Sequence, residues 1–235
     1  MQLRANYDET AWDAGPGAPA AVWQPSPLPG VERYMLDRDG AEVAVATSLV
    51  RYAPGSKFDA HRHAMGEEYL VLEGEFADEH GRYGPGTYVR NPPGSSHSPF
   101  SDPGCLIWVK LRQFHDLDSR QCQIQTAHNI PAQGVEEYAL HEYAPGDGPL
   151  ASRQERVSML CAAADSAIEL PACYGMQEVF VVDGAVQWQD TQTVTFHRYG
   201  WLRLAPGQPL RLRTLEPATL LWKERTLWDR AELDV

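Results

Sequence analysis

The sequence predicts an all-β chain made of two similar halves in tandem. First, from Arg33 onward the 235 residues read as short apolar or alternating runs, such as VAVATSLVRY, EEYLVLEG, GTYVRN and CLIWVKL. These runs are strand-sized, rich in β-branched and aromatic side chains, and separated by Gly, Pro, Asn and Asp. Second, no helical pattern of about ten residues stands between them, so the strands must pack sheet on sheet or close into barrels. Third, the runs recur in one order, which argues for internal duplication.

The repeat is specific. Glu68-Tyr-Leu-Val-Leu-Glu-Gly74 returns 110 residues later as Glu178-Val-Phe-Val-Val-Asp-Gly184, with the same acidic-glycine turn. Gly86-Thr-Tyr-Val-Arg90 with Pro93-Gly94 returns as Gly200-Trp-Leu-Arg203 with Pro206-Gly207, and Cys105-Leu-Ile-Trp-Val-Lys110 returns as Thr219-Leu-Leu-Trp-Lys223.

Taken in order, residues 1–32 form a Pro/Gly-rich arm, with Trp12 and Trp23 placed to anchor it. Residues 33–118 form the first half. Residues 119–134, polar and containing Pro131, form a linker, and residues 135–235 form the second half.

Composition narrows the function. Twenty Lys and Arg against 32 Asp and Glu give a net charge of −12, which argues against a nucleic-acid binder. No run approaches the roughly 20 apolar residues that cross a bilayer, and the beginning lacks the apolar stretch of a signal peptide, so a cytoplasmic protein without membrane partners is expected. Cys105, Cys122, Cys161 and Cys173 form no CxxC pair and are expected as reduced, mostly buried thiols.

One constellation carries chemistry. His61 and His63 are two apart on expected strand, and period two puts both imidazoles on one face. Gly66 bends the chain before Glu67, bringing a carboxylate to the same interior. His97 follows the turn-forming Asn91-Pro-Pro-Gly-Ser-Ser, which carries a neighbouring strand back toward the pair. Nitrogen and carboxylate donors together suit Fe, Mn, Ni, Co or Zn and disfavour a calcium cage. Phe58, Tyr69, Phe76, Tyr88 and Trp108 lie on expected strands, where they either pack the interior or line an apolar pocket. Asp78-Glu79-His80 reads as a solvated turn, and the histidines at 80, 115, 128, 141 and 197 as surface or supporting residues.

Gly55, five residues, His61-x-His63, three residues, Glu67, six residues, Gly74 resembles the first motif of the cupin superfamily. Gly86, five residues, Pro92-x-Gly94, two residues, His97 resembles the second, with Ser101 where an Asn often closes it. The resemblance implies two cupin-like (double-stranded β-helix, jelly-roll) barrels in tandem, the first holding one divalent transition metal through His61, His63, Glu67 and His97. Zn or Fe is expected there, with Mn or Ni as alternatives.

More narrowly, Trp23-x-Pro25 through Lys110-Leu111-Arg112 is similar to the cupin domain of ChrR-type anti-sigma factors, which implies a regulatory, sensory or small-ligand-binding metal cupin. The alternative is an Fe(II)-dependent dioxygenase of a small diketone or aryl ketone. Residues 1–35 hold no Cys or His to build a zinc-containing sigma-binding domain, so direct sigma-factor binding is not expected. A small-molecule or anion ligand and a homodimer are.

In the second half, Pro171, Cys173 and Gln177 match His61, His63 and Glu67, and Gly207-Gln-Pro-Leu210 matches the His97 region. A second metal site is therefore not expected.

Overall fold

The structure, a computed structural model, describes residues 9–12, 23–40, 44–126, 129–143, 155–189 and 193–225. Their regular structure is entirely strand, and every pairing is antiparallel, as the all-β reading predicts. Among the described residues no helix is long and apolar enough to cross a membrane. Residues 1–8 and 13–22 of the expected arm, and His128, lie outside them.

The chain divides into two compact units, Ala20–Ala127 and a second made of Met1–Pro19 with His128–Val235. In chain order β1 is Glu9–Trp12, β2 Gln24–Pro25, β3 Val31–Gly40, β4 Ala44–Tyr52, β5 Ser56–Lys57, β6 His61–Arg62 and β7 Glu67–Gly74. These are followed by β8 Phe76–Asp78, β9 Gly81–Tyr83, β10 Thr87–Asn91, β11 Ser96–His97, β12 Phe100–Ser101, β13 Cys105–Leu111 and β14 Cys122–Gln125. The second half contributes β15 Val135–Glu142, β16 Arg156–Ala162, β17 Ala167–Leu170, β18 Met176–Asp183 and β19 Val186–Gln189. It ends with β20 Thr193–Phe196, β21 Trp201–Leu204, β22 Leu210–Thr214 and β23 Ala218–Arg225.

The sequence repeat is a spatial repeat. The large sheet of the first unit runs β14-β10-β7-β13-β4-β3-β2, and that of the second β1-β21-β18-β23-β16-β15. Matching strands therefore stand in matching order, and the smaller sheets β5-β12-β8-β9 and β17-β22-β19-β20 correspond in the same way. Each unit has its own apolar core, centred on Tyr69, Val71, Val89, Ile107 and Val109 in the first and on Leu160, Val179, Val181, Leu202 and Leu220 in the second. β7 is buried from Glu67 to Leu72 on both faces, as expected of a near-continuous apolar run at the centre of a sheet.

Two segments without a strand pattern are nonetheless strands. Cys122–Gln125, inside the stretch expected as a linker, pairs with β10, and Glu9–Trp12, inside the expected arm, pairs with β21. Trp23 packs edge-on to Tyr34 with ring centroids 5.8 Å apart, and the Arg51 guanidinium lies 4.3 Å from its ring. The four cysteines are free, with Cys105 and Cys161 buried.

Candidate metal centre

The two-residue spacing of His61 and His63 does what period two requires. His61 lies directly opposite His97 in the β6/β11 ribbon, and the pairing continues as His63 N–H donates to the Ser95 carbonyl at 2.9 Å. The three imidazole centroids are 4.7–5.1 Å apart. Gly66, at φ +74°, turns the chain into β7, and a Cβ there would fall 2.5 Å from the Phe114 ring. That turn is fastened from outside: Arg112 N–H donates to the Gly66 carbonyl at 3.0 Å and Phe114 N–H to the Met65 carbonyl at 3.1 Å. Glu67 Oε2 then lies 3.5 Å from both His63 Nε2 and His97 Nε2. One donor atom from each of His61, His63, Glu67 and His97 falls within 4.8 Å of the others, so a single ion can be shared by all four.

Each imidazole is also held in one tautomer. His61 Nδ1–H donates to the Asp59 carbonyl at 3.0 Å. The Ser95 hydroxyl spends its proton on the Pro92 carbonyl at 2.6 Å, so its oxygen accepts from His63 Nδ1–H at 3.1 Å. His97 Nδ1–H donates to Asp78 Oδ2 at 3.1 Å, while Asp78 Oδ1 accepts from His80 N–H, Gly81 N–H and the Tyr83 hydroxyl. With every Nδ1 engaged as a donor, the Nε2 lone pairs face the cluster, and those of His63 and His97 are buried without a hydrogen-bond partner. Orphaned buried acceptors beside a carboxylate fit a divalent transition metal, and a partner on the far nitrogen is the usual way such ligands are oriented. Glu67 is steadied by Asn91 Nδ2 at 3.4 Å, itself met by Gln121 Nε2 through its carbonyl oxygen.

The electrostatics differ between two of the imidazoles. Burial, reinforced by the other two imidazoles and opposed by Glu67, pushes His63 below its ordinary value and favours the neutral, ligating form. Burial also opposes charge on His97, but the Asp78 hydrogen bond and the charges of Glu67 and Asp78 outweigh it and raise the pKa. Burial opposes charge on Asp78 too, yet the bonds from His97, His80 and Tyr83 hold it below the usual carboxylate range. Burial first, and then Glu67, raise Tyr52 and Tyr69, which stay neutral phenols.

A cavity of about 390 Å³ opens in front of the cluster, with walls that include Phe58, Phe76, Val50, Ile107 and Tyr52. Of the five aromatics singled out in the sequence, Phe58 and Phe76 line it, whereas Tyr69, Tyr88 and Trp108 are buried away from it. The expectation for Asp78-Glu79-His80 needs correction at its first residue: Asp78 is buried against His97 because β8 and β9 fold it inward, while Glu79 and His80 stay exposed. His141, expected at an edge, is buried in β15 with Nε2 3.9 Å from Glu155.

In the second half the matching positions close on themselves. Gln177 Nε2 donates to the carbonyls of Pro171 and Gln208, its Oε1 accepts from Trp222, and Cys173 Sγ lies 3.0 Å from the Gly175 carbonyl. The described residues hold one potential metal cluster, that of the first half.

Fold and cluster together are those of a cupin-like fold, with a ChrR-like cupin domain in its first part and a second cupin-like sheet region. Residues 18–115 match the family model described as ChrR Cupin-like domain. Protein Ylba from E. coli is similar in structure at a TM-score of 0.70 and 11% identity, covering 97% of this chain and 94% of that one. The E. coli pirin YhhW, solved with nickel(II), gives a TM-score of 0.64 at 14% identity, covering 88% and 96%. A salicylate 1,2-dioxygenase from Pseudaminobacter salicylatoxidans gives 0.58 at 12%, covering 95% and 85%. No curated protein matches the chain.

Proposed function

We propose that the chain is a metal-dependent oxygenase of a small ketone or diketone, with each half closing as a cupin barrel and only the first holding metal. The observation that carries this reading is the set of fixed Nε2 lone pairs and one carboxylate at the floor of a cavity walled in part by Phe58, Phe76, Val50 and Ile107. His61, His63 and His97 would hold the ion through Nε2 and Glu67 through its carboxylate. A bound iron would supply Lewis-acid and redox chemistry toward dioxygen at that point. The residues around it bind and orient: Phe58, Phe76 and Ile107 exclude water from the substrate body, and Tyr52 presents a neutral phenol to the cavity. Structural likeness to a salicylate 1,2-dioxygenase and to a pirin solved with nickel(II) supports the reading, one as precedent for a dioxygenase and the other for a bound metal on this fold.

The match to the ChrR Cupin-like family favours a second reading, a metal-held sensor domain. Elemental analysis of untagged protein, followed by oxygen uptake with a panel of small ketones, diketones and keto acids, separates the two. About one iron per chain and substrate-dependent oxygen consumption are expected. Tightly held zinc with no uptake across the panel would overturn the enzyme reading, and full metal content in a His61→Ala, His63→Ala variant would overturn the site.

A further inference from the structure

The cavity carries a charge that the oxygenase reading leaves unused. Four arginines, Arg33, Arg38, Arg62 and Arg112, line it, and Glu67 is the single acid among its described lining residues. The whole chain has 20 Lys and Arg against 32 Asp and Glu, so this lining reverses the overall balance. A bulk field of that sign does not draw an anion in; only a local cluster of this kind does.

Arg33 and Arg112 flank the apolar wall of the cavity. Arg33 on β3 pairs with Val50, Val50 with Ile107, and Ile107 with Val71, so Arg33 shares one face with the apolar wall of the cavity. Three strand spacings of about 4.8 Å put its backbone on the order of 14 Å from β7, across the cavity from Glu67. Its Nε is buried without a hydrogen-bond partner, and among the described residues its side chain meets no acid. A carboxylate entering the cavity would give that guanidinium a charged acceptor. Arg112 marks the near side. It follows Leu111, the cross-strand partner of Glu67, and holds a left-handed φ of 59° that a non-glycine residue keeps only where its surroundings enforce it.

We propose that this cavity selects a small organic acid, an apolar body about the size of a phenyl group whose carboxylate is received by Arg33 while a keto or hydroxyl oxygen points at the metal cluster. The body rests on Phe58, Phe76, Val50 and Ile107, and Arg112 adds positive charge beside the metal-ligand turn. A neutral diketone fills the same space but leaves Arg33 unmatched, so the inference deepens the oxygenase reading, on which it rests, by naming the substrate class.

The test is calorimetric binding of 4-acetylbenzoate and of 4-methylacetophenone, an uncharged ketone of similar shape, to the full chain both zinc-loaded and metal-stripped. Wild type is expected to prefer the acid at least tenfold in both forms. Arg33→Gln should remove most of that preference without changing 4-methylacetophenone affinity or zinc content, and Arg33→Lys should restore part of it. Equal or absent binding of the two ligands to wild type overturns the inference with no variant needed, as does a preference that survives Arg33→Gln. The metal-stripped arm separates the two proposals: failure to load zinc counts against the metal reading, whereas loss of the Arg33 effect in stripped protein counts against this inference alone.

Discussion

At the residue scale, the four candidate ligands were legible because local rules place them: period two for His61 and His63, a glycine bend for Glu67, a proline-glycine turn for His97. The residues that aim them were not. Asp78 sits in a polar triplet whose local pattern is that of a turn, and its contact with His97 across 19 positions exists only once β8 and β9 have folded. This gives Asp78 a testable role. Asp78→Asn keeps the shape but weakens the acceptor at His97 Nδ1, and loss of such a partner typically costs 10–100-fold in metal affinity. Competitive chelator titration should therefore show metal held at least about tenfold more weakly, with secondary structure unchanged. Unaltered affinity would mean that Asp78 serves only the turn it caps. The same carboxylate, held below its ordinary value, contributes stability present above its unfolded pKa and lost as pH falls through the folded one. The variant should lack that part of the acid limb of an unfolding curve.

At the scale of elements, the duplication kept something other than the metal site. Glu68 on β7 pairs with Arg90 on β10 and Lys110 on β13, and Glu178 on β18 pairs with Arg203 on β21 and Lys223 on β23. Both rows are buried. In the first, Arg90 reaches Glu68 at 3.2 Å and Asp118 at 2.8 Å while its guanidinium lies 4.1 Å from the Phe114 ring; in the second, Arg203 reaches Glu178 at 3.3 Å. The repeated acidic-glycine turn has a similar basis. Gly74 and Gly184 have φ of +70° and +85°, and a Cβ would fall 2.0 Å from the Gly104 carbonyl oxygen and 2.3 Å from that of Pro217. Strand existence and the repeat were thus readable, since both rest on local pattern. β1 and β14 were not, because a polar or proline-flanked segment becomes a strand only when a distant edge pairs with it. Arg90→Met tests the row. It leaves two buried carboxylates facing a thioether, and breaking a buried pair from one side costs about 3–5 kcal/mol. Urea denaturation should show a loss of that order in the transition of the first unit. A change below about 1 kcal/mol would place the pair among ion pairs that contribute nothing measurable.

At the scale of the whole molecule, two units of matching topology differ in the chemistry of the interior that holds the candidate ligands. The interior that holds three imidazoles and Glu67 in the first holds Gln177, Trp222 and the backbone carbonyls of Pro171 and Gln208, bonded to one another, in the second. An ion that binds only the folded first unit stabilises it by mass action, by about 2.7 kcal/mol when free metal is a hundredfold above Kd. The second unit has no described cluster through which to gain the same directly. Hydrogen exchange of the full chain, compared with and without one equivalent of zinc, resolves this residue by residue. Protection should rise across β6, β7, β10, β11 and β13, whose amides hold the ligand-bearing strands together, and should change little in β16, β18, β21 and β23. Equal protection of both units would show that metal stabilises the chain as one cooperative body. Protection centred on residues 171–177 would instead move the site to the half whose ligands the sequence has replaced.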